Sequence, residues 1–151
     1  MEINIKTQTL LEELRQKSHL GTERIKDAED REAVRAGKEK TDELTRCIMT
    51  ADSRLRAVIG GRYLKRDHST AADDMLGLPD YLTYDLLINA KRASGKDIAF
   101  AGLFHDYLAN MAMSLYYVTV AMADMAGARA ALAAQDEKDI IILLNTKLPP
   151  V

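Results

Sequence analysis

The chain is predicted to be mainly α: a small bundle of about four helices, with a loop and a short β-strand or hairpin excursion over about residues 62–90. Three observations predict this. From Phe104 to Met125, apolar residues recur at steps of four and three (Phe104, Leu108, Met111, Leu115, Val118, Met122, Met125), the period of a helix face. Glycine and proline are scarce, 8 and 3 in 151 residues, while 47% of residues are hydrophobic and 29% charged, a composition typical of helix-rich globular chains. Around Tyr81 to Asn89 the period changes to two, the mark of a half-buried strand.

The first segment, Thr9 to His19, reads as a short helix with Leu10, Leu11 and Leu14 on one face, ending near Gly21. Thr22 to Lys40 is rich in helix formers but has too few apolar positions for a core-facing stripe; 15 of the 25 residues from Thr22 to Arg46 are charged. Residues 1–40 are therefore expected to form a charged helical extension, and residues 41–151 a single helical domain with its strand excursion. The next helix begins at Thr41 or Asp42, either of which is a capping residue type. It carries Leu44, Ile48, Ala51, Leu55, Val58 and Ile59 at steps of three and four, and should stop at Gly60 and Gly61.

Arg62 to Pro79 is a mixed-charge loop. The strand that follows sets Leu82, Tyr84, Leu86 and Ile88 on one face, and one strand cannot satisfy its own backbone. It must pair with Tyr63 to Arg66, with another segment of the chain, or with a neighbouring subunit. Asp97 is the expected cap of the long apolar helix, which Gly127 interrupts or ends. The sides of that helix away from its main face are nearly as apolar, so it needs covering all round. A last helix runs from Ala128 to Leu144 and stops before Pro149, although its isoleucines also suit a strand.

The totals limit the function classes. A formal charge of −2 exerts no global pull on nucleic acid, contact with which is expected to be incidental at most. The single cysteine, Cys47, excludes a disulfide framework within the chain and any zinc site built from several thiolates; its place beside Leu44 and Ile48 suits a small buried residue. The N-terminal residues include Glu2, Glu12 and Glu13 and lack the order of a signal peptide, so the chain is expected in the cytoplasm. The 17 residues between Asp106 and Asp124 are at the short limit for a membrane span, and Asn110, Ser114 and Thr119 interrupt them. A buried or partner-covered helix is expected there, with no membrane and no small-molecule substrate.

Glycine-rich phosphate loops, paired cysteines and nucleophile elbows are absent from the sequence. The only constellation with metal chemistry is His68, His105-Asp106 and Asp124, whose order is similar to the pattern of HD-type metal phosphohydrolases. The plainer reading places His105 and Asp106 on the less apolar side of a packed helix. Arg54, Arg56, Arg62, Lys65 and Arg66 have phosphate-binding chemistry, but nearby acids favour a solvated face. Met111, Met113, Met122 and Met125 suit either core packing or an adaptable contact surface.

The ordered features TDELTRCIMTADSRLRAVIGGRYL, LPDYLTYDLLIN, LFHDYLANMAMSLYYVTVAM and NTKLPPV together resemble the small neck proteins of tailed bacteriophages, the head-to-tail connector and tail-completion group. The resemblance covers Thr41 to Val151 and rests on layout. It implies a structural virion protein, assembled in the host cytoplasm, that forms a homo-oligomeric ring between portal and tail proteins with no active site and no cofactor. A ring subunit must present two different surfaces. Candidates are Met113, Tyr117 and Val120 on the apolar helix, and Leu82, Tyr84, Leu86 and Ile88 on the strand. The alternatives are an HD-like phosphohydrolase and a cytoplasmic helical adaptor unrelated to virions.

Overall fold

A computed structural model of the chain describes residues 1–21, 28–29, 40–65, 78–88 and 95–145. Among them are a two-stranded antiparallel sheet and four helices: β1 (Glu2–Lys6), α1 (Thr7–Gly21), α2 (Thr41–Tyr63), β2 (Tyr81–Asp85), α3 (Asp97–Thr119) and α4 (Ala123–Asn145). The expected small helical bundle with a short β excursion is the observed architecture. No helix among the described residues is long and apolar enough to cross a membrane.

The period-two segment finds its partner at the start of the chain. Ile3 pairs with Tyr84 and Ile5 with Leu82, and alternation sends these four side chains to the buried face. The ladder continues at both ends, from Leu86 N–H to the Met1 carbonyl (2.7 Å) and from Thr7 N–H to the Asp80 carbonyl (3.1 Å). The other edge of β2 takes the short Tyr63–Lys65 stretch through Lys65 N–H to Asp85 O (3.1 Å) and Leu87 N–H to Tyr63 O (2.8 Å). Two of the expected sources of pairing are thus used at once.

This pairing changes the domain boundary. Residues 1–21 are not an extension: Ile3, Ile5, Leu10 and Leu14 are buried in the same core as α2 and α3. Counting charge along residues 1–40 merged this apolar start with the charged stretch behind it. Residues 22–27 and 30–39 lie outside the described residues.

Apolar spacing explains α2. Leu44, Ile48, Ala51, Leu55 and Ile59 are all buried, and the chain leaves helical geometry at Gly60 (φ 61°, ψ −174°), a region open to glycine alone. Its cap position is Lys40, and the Thr41 hydroxyl instead accepts a hydrogen bond from Arg15 Nη2 (2.7 Å). Likewise Lys96, and not Asp97, stands at the cap position of α3, without a side-chain cap hydrogen bond; Asp97 opens the first turn, where a carboxylate suits the helix dipole.

The long apolar helix does not continue to Gly127. It ends at Thr119, and Val120, Ala121 and Met122 turn the chain into α4, which runs antiparallel beside α3. Ala121 supplies the turn with a positive φ of 60°, and Met122 N–H bonds the Tyr117 carbonyl (2.8 Å). Sequence could not mark this break because the residue in the left-handed position is alanine. Gly127 lies inside α4, and the Ile140–Leu144 run is helical to its end.

Turn chemistry therefore predicts two substitutions of opposite sign. Ala121→Gly removes a side chain from a left-handed position and should stabilise the fold by about 0.5–1 kcal/mol. Gly60→Ala should destabilise it by about 1–3 kcal/mol. Urea unfolding measures both.

Candidate functional site

The residues expected to form subunit contacts are largely spent inside the chain. Met113, Tyr117, Leu82, Tyr84, Leu86 and Ile88 are each 0–1% exposed; only Val120, in the α3–α4 turn, keeps intermediate exposure. Alternation does send Leu82, Tyr84, Leu86 and Ile88 to one face, but that face is buried within the chain, where Tyr84 meets Asp52 of α2 and Phe104 of α3. Tyr117 packs at a 6.0 Å ring separation from Tyr116 and donates its hydroxyl to the Lys17 carbonyl of α1 (3.4 Å). The apolar stripe of α3 is also displaced from its expected line, since Met111 and Leu115 are half-buried and Val118 is 66% exposed.

The metal-site candidates among the described residues are not brought together. His105 Nε2 contacts Glu13 Oε2 across α1 and α3, and Glu13 also holds Lys17 (2.9 Å). Burial alone would raise the Glu13 carboxyl, but the hydrogen bonds and charges of Lys17 and His105 outweigh it and hold the group below its usual range. Asp106 and Asp124 are exposed, and no three His, Cys, Asp or Glu residues among those described are grouped to hold a metal ion. His68 lies outside the described residues. Cys47 is buried, and burial followed by the Glu43 charge pushes its thiol up to about 11, which suppresses thiolate chemistry.

The most organised polar cluster is one the sequence did not mark. Asp52 is fully buried on α2, and Arg56, one turn on, donates through Nε to both its carboxylate oxygens (3.1 and 3.2 Å). Tyr84 of β2 donates its hydroxyl to Asp52 Oδ1 (2.5 Å), while Arg56 Nη2 reaches the Thr83 carbonyl (2.8 Å). The guanidinium carbon sits 4.4 Å from the Tyr84 ring centre. Burial, then the adjacent Asp52 carboxylate, push the Tyr84 phenol well above its usual range, so it remains a donor. Arg56 was grouped with the solvated basic residues, yet it is 9% exposed; its i, i+4 spacing from Asp52 was the available signal. Arg56 Nη1 is buried without a hydrogen-bond partner among the described residues. The other basic residues are peripheral. Arg54 is exposed against Met111, Arg62 lies over the Tyr63 ring, and Lys65 pairs with Asp85; Arg66 is outside the described residues.

A second polar line joins α3 to α4. Asn110 donates to Asp136 (2.8 Å) and accepts from Arg129 (3.2 Å), and the Ser114 hydroxyl bonds the Ala126 carbonyl (2.9 Å). Asn110 and Ser114 are two of the three polar residues that interrupt the apolar run between Asp106 and Asp124. At the start of α1, a cleft of about 400 Å³ is lined by Lys6, Thr7, Gln8, Thr45 and Asp80 among others. Lys6 and Asp80 balance there, and His105, Asp106 and Asp124 are not among its lining residues. Comparison with protein-family models, curated proteins and solved structures finds no match.

Removing Asp52 alone should be costly, because it leaves the Arg56 guanidinium buried without its counter-charge. Asp52→Ala is expected to destabilise by about 3–5 kcal/mol, and Asp52→Leu with Arg56→Met by less than that single change, as read by urea unfolding. The Glu13 cluster predicts a pH effect. Because the folded-state carboxyl is depressed, its contribution is complete above the usual value of 4.5 and fades as pH falls through the lower folded-state value. Glu13→Gln should therefore cost about 0.5–1 kcal/mol at neutral pH, shrinking towards zero in acid, in melts recorded across pH.

Proposed function

We propose that this chain is a structural subunit that forms a ring in the neck of a tailed bacteriophage, between portal and tail, without catalysis or a cofactor. The observation that carries the reading is the placement of exposed large apolar side chains at both ends of the bundle. Leu20 (65% exposed) ends α1 beside the C-terminus of α3, where Val118 is 66% exposed. At the opposite end, Ile98 opens α3 at 79% exposure, near the end of α4 where Ile142 is 62% exposed. Water contact at such residues is unfavourable, and a partner covering them recovers roughly 25 cal/mol per Å² of apolar surface.

Two separate apolar ends fit a heterologous contact, in which one surface of a subunit meets a different surface of the next and closes into a ring. The layout from Thr41 to Val151 that is similar to neck proteins supports the same reading. The ends of the helices take the place of the strand face, and Val120, half-exposed in the α3–α4 turn, adjoins Val118.

Negative-stain imaging and native mass spectrometry of the chain, alone and mixed with portal or tail proteins, test the proposal. Closed rings are expected. Ile98→Asp and Val118→Asp should each abolish them while changing monomer stability by no more than about 0.5 kcal/mol. A chain that stays monomeric with every such partner would overturn the reading in favour of an adaptor with no virion role.

A further inference from the structure

We propose that the outer face of α4 is a second self-association surface, on which two copies of the chain pair antiparallel across a two-fold axis. The helix buries only Ala126, Ala133, Ile140 and Leu144 against its own chain. On its far side Asp124, Gly127, Ala131, Ala134, Lys138 and Ile141 recur at alternating steps of three and four, and all six are exposed. That is the spacing of a seam between two helices, and its small central residues let backbones come close.

Gly127 supports a close approach. A glycine inside a helix costs about 1 kcal/mol relative to alanine. Among the described residues nothing lies within 4 Å of where its Cβ would stand, as is also true of Gly102 in α3, so the position is open to a second backbone.

Charge identifies the occupant and its direction. Asp124 and Lys138 lie on one stripe at opposite ends of the seam, and neither is ion-paired to another described residue. A parallel copy would set Asp124 against Asp124 and Lys138 against Lys138. An antiparallel copy centred on Ala131 and Ala134 brings each Asp124 within about one turn of the second copy's Lys138, at both ends of the contact. The pattern is its own complement when reversed, which selects a second copy of this chain over an unrelated helix. Such an isologous contact closes at two subunits, so it differs from the head-to-tail contact of a ring and stands independently of the neck reading. A single helix pair covers less than the roughly 800 Å² per partner of a standard interface, so the dimer is weak and sensitive to concentration and salt.

Sedimentation velocity of the full chain over a concentration series tests this. A monomer–dimer equilibrium weakened by salt is expected. Asp124→Lys and Lys138→Asp should each weaken dimerisation by about tenfold or more. The double reversal should restore it to within about threefold of the original. Both positions are exposed, so Lys138→Asp should melt as the parent does, whereas Asp124→Lys, in the first turn of α4, should melt slightly lower because a cation there opposes the helix dipole. Ile98→Asp should leave the dimer intact even where it abolishes rings, which separates failure of one proposal from failure of the other. A parent chain that is monomeric at every concentration, association indifferent to both single reversals, or a double variant no better than the singles would overturn the inference.

Discussion

A helix that is apolar around its whole circumference cannot be satisfied by one neighbour. Phe100, Phe104, Tyr107, Leu108, Ala109, Ala112, Met113, Tyr116 and Tyr117 of α3 are all buried, and at 100° per residue they point in every direction from its axis. The rest of the fold follows from covering them. α4 folds back along one side, α2 lies along another, and α1 and β1 close the remainder. Without the N-terminal strand and helix, one flank of α3 would face water. For this reason the first 21 residues belong to the core, whatever the charge of the segment behind them.

Covering a helix from several sides brings polar backbone and side chains into dry surroundings, and they are paired there. The sheet is tied to α2 through Asp52, Arg56 and Tyr84, and the α3–α4 hairpin through Asn110, Asp136, Arg129 and Ser114. Burial of a charge pair does not stabilise by itself, since desolvation offsets attraction. What such a cluster adds is register, because a slip of one residue in β2 would take Tyr84 away from Asp52 and invert every side chain of the strand.

Much of this was legible in the residues. Period three-and-four spacing located α2 to within its final turn, and period-two spacing identified the buried face of β2. The glycine at position 60 ended the helical geometry as expected. What could not be read has physical causes. A strand five residues long at Glu2–Lys6 carries too short an alternation to stand out, and its pairing is a contact over some eighty residues. The α3–α4 turn rests on an alanine in a glycine-like conformation, which no propensity marks. The candidate contact residues are apolar beyond what three or four helices alone would cover. Once β1 and α1 are added to the covering set, six of the seven disappear inside, and the exposed apolar surface moves to the helix ends and the outer side of α4.

Covering α3 makes the N-terminal elements and the helices one cooperative unit. Native-state hydrogen exchange tests it directly, because the amides of Ile3, Ile5, Leu82 and Tyr84 belong to the sheet and those of Leu108 and Ala112 to the middle of α3. Both groups should exchange only through global unfolding, with the same opening free energy and the same denaturant dependence. Sheet amides that open at lower free energy, while α3 stays protected, would contradict it.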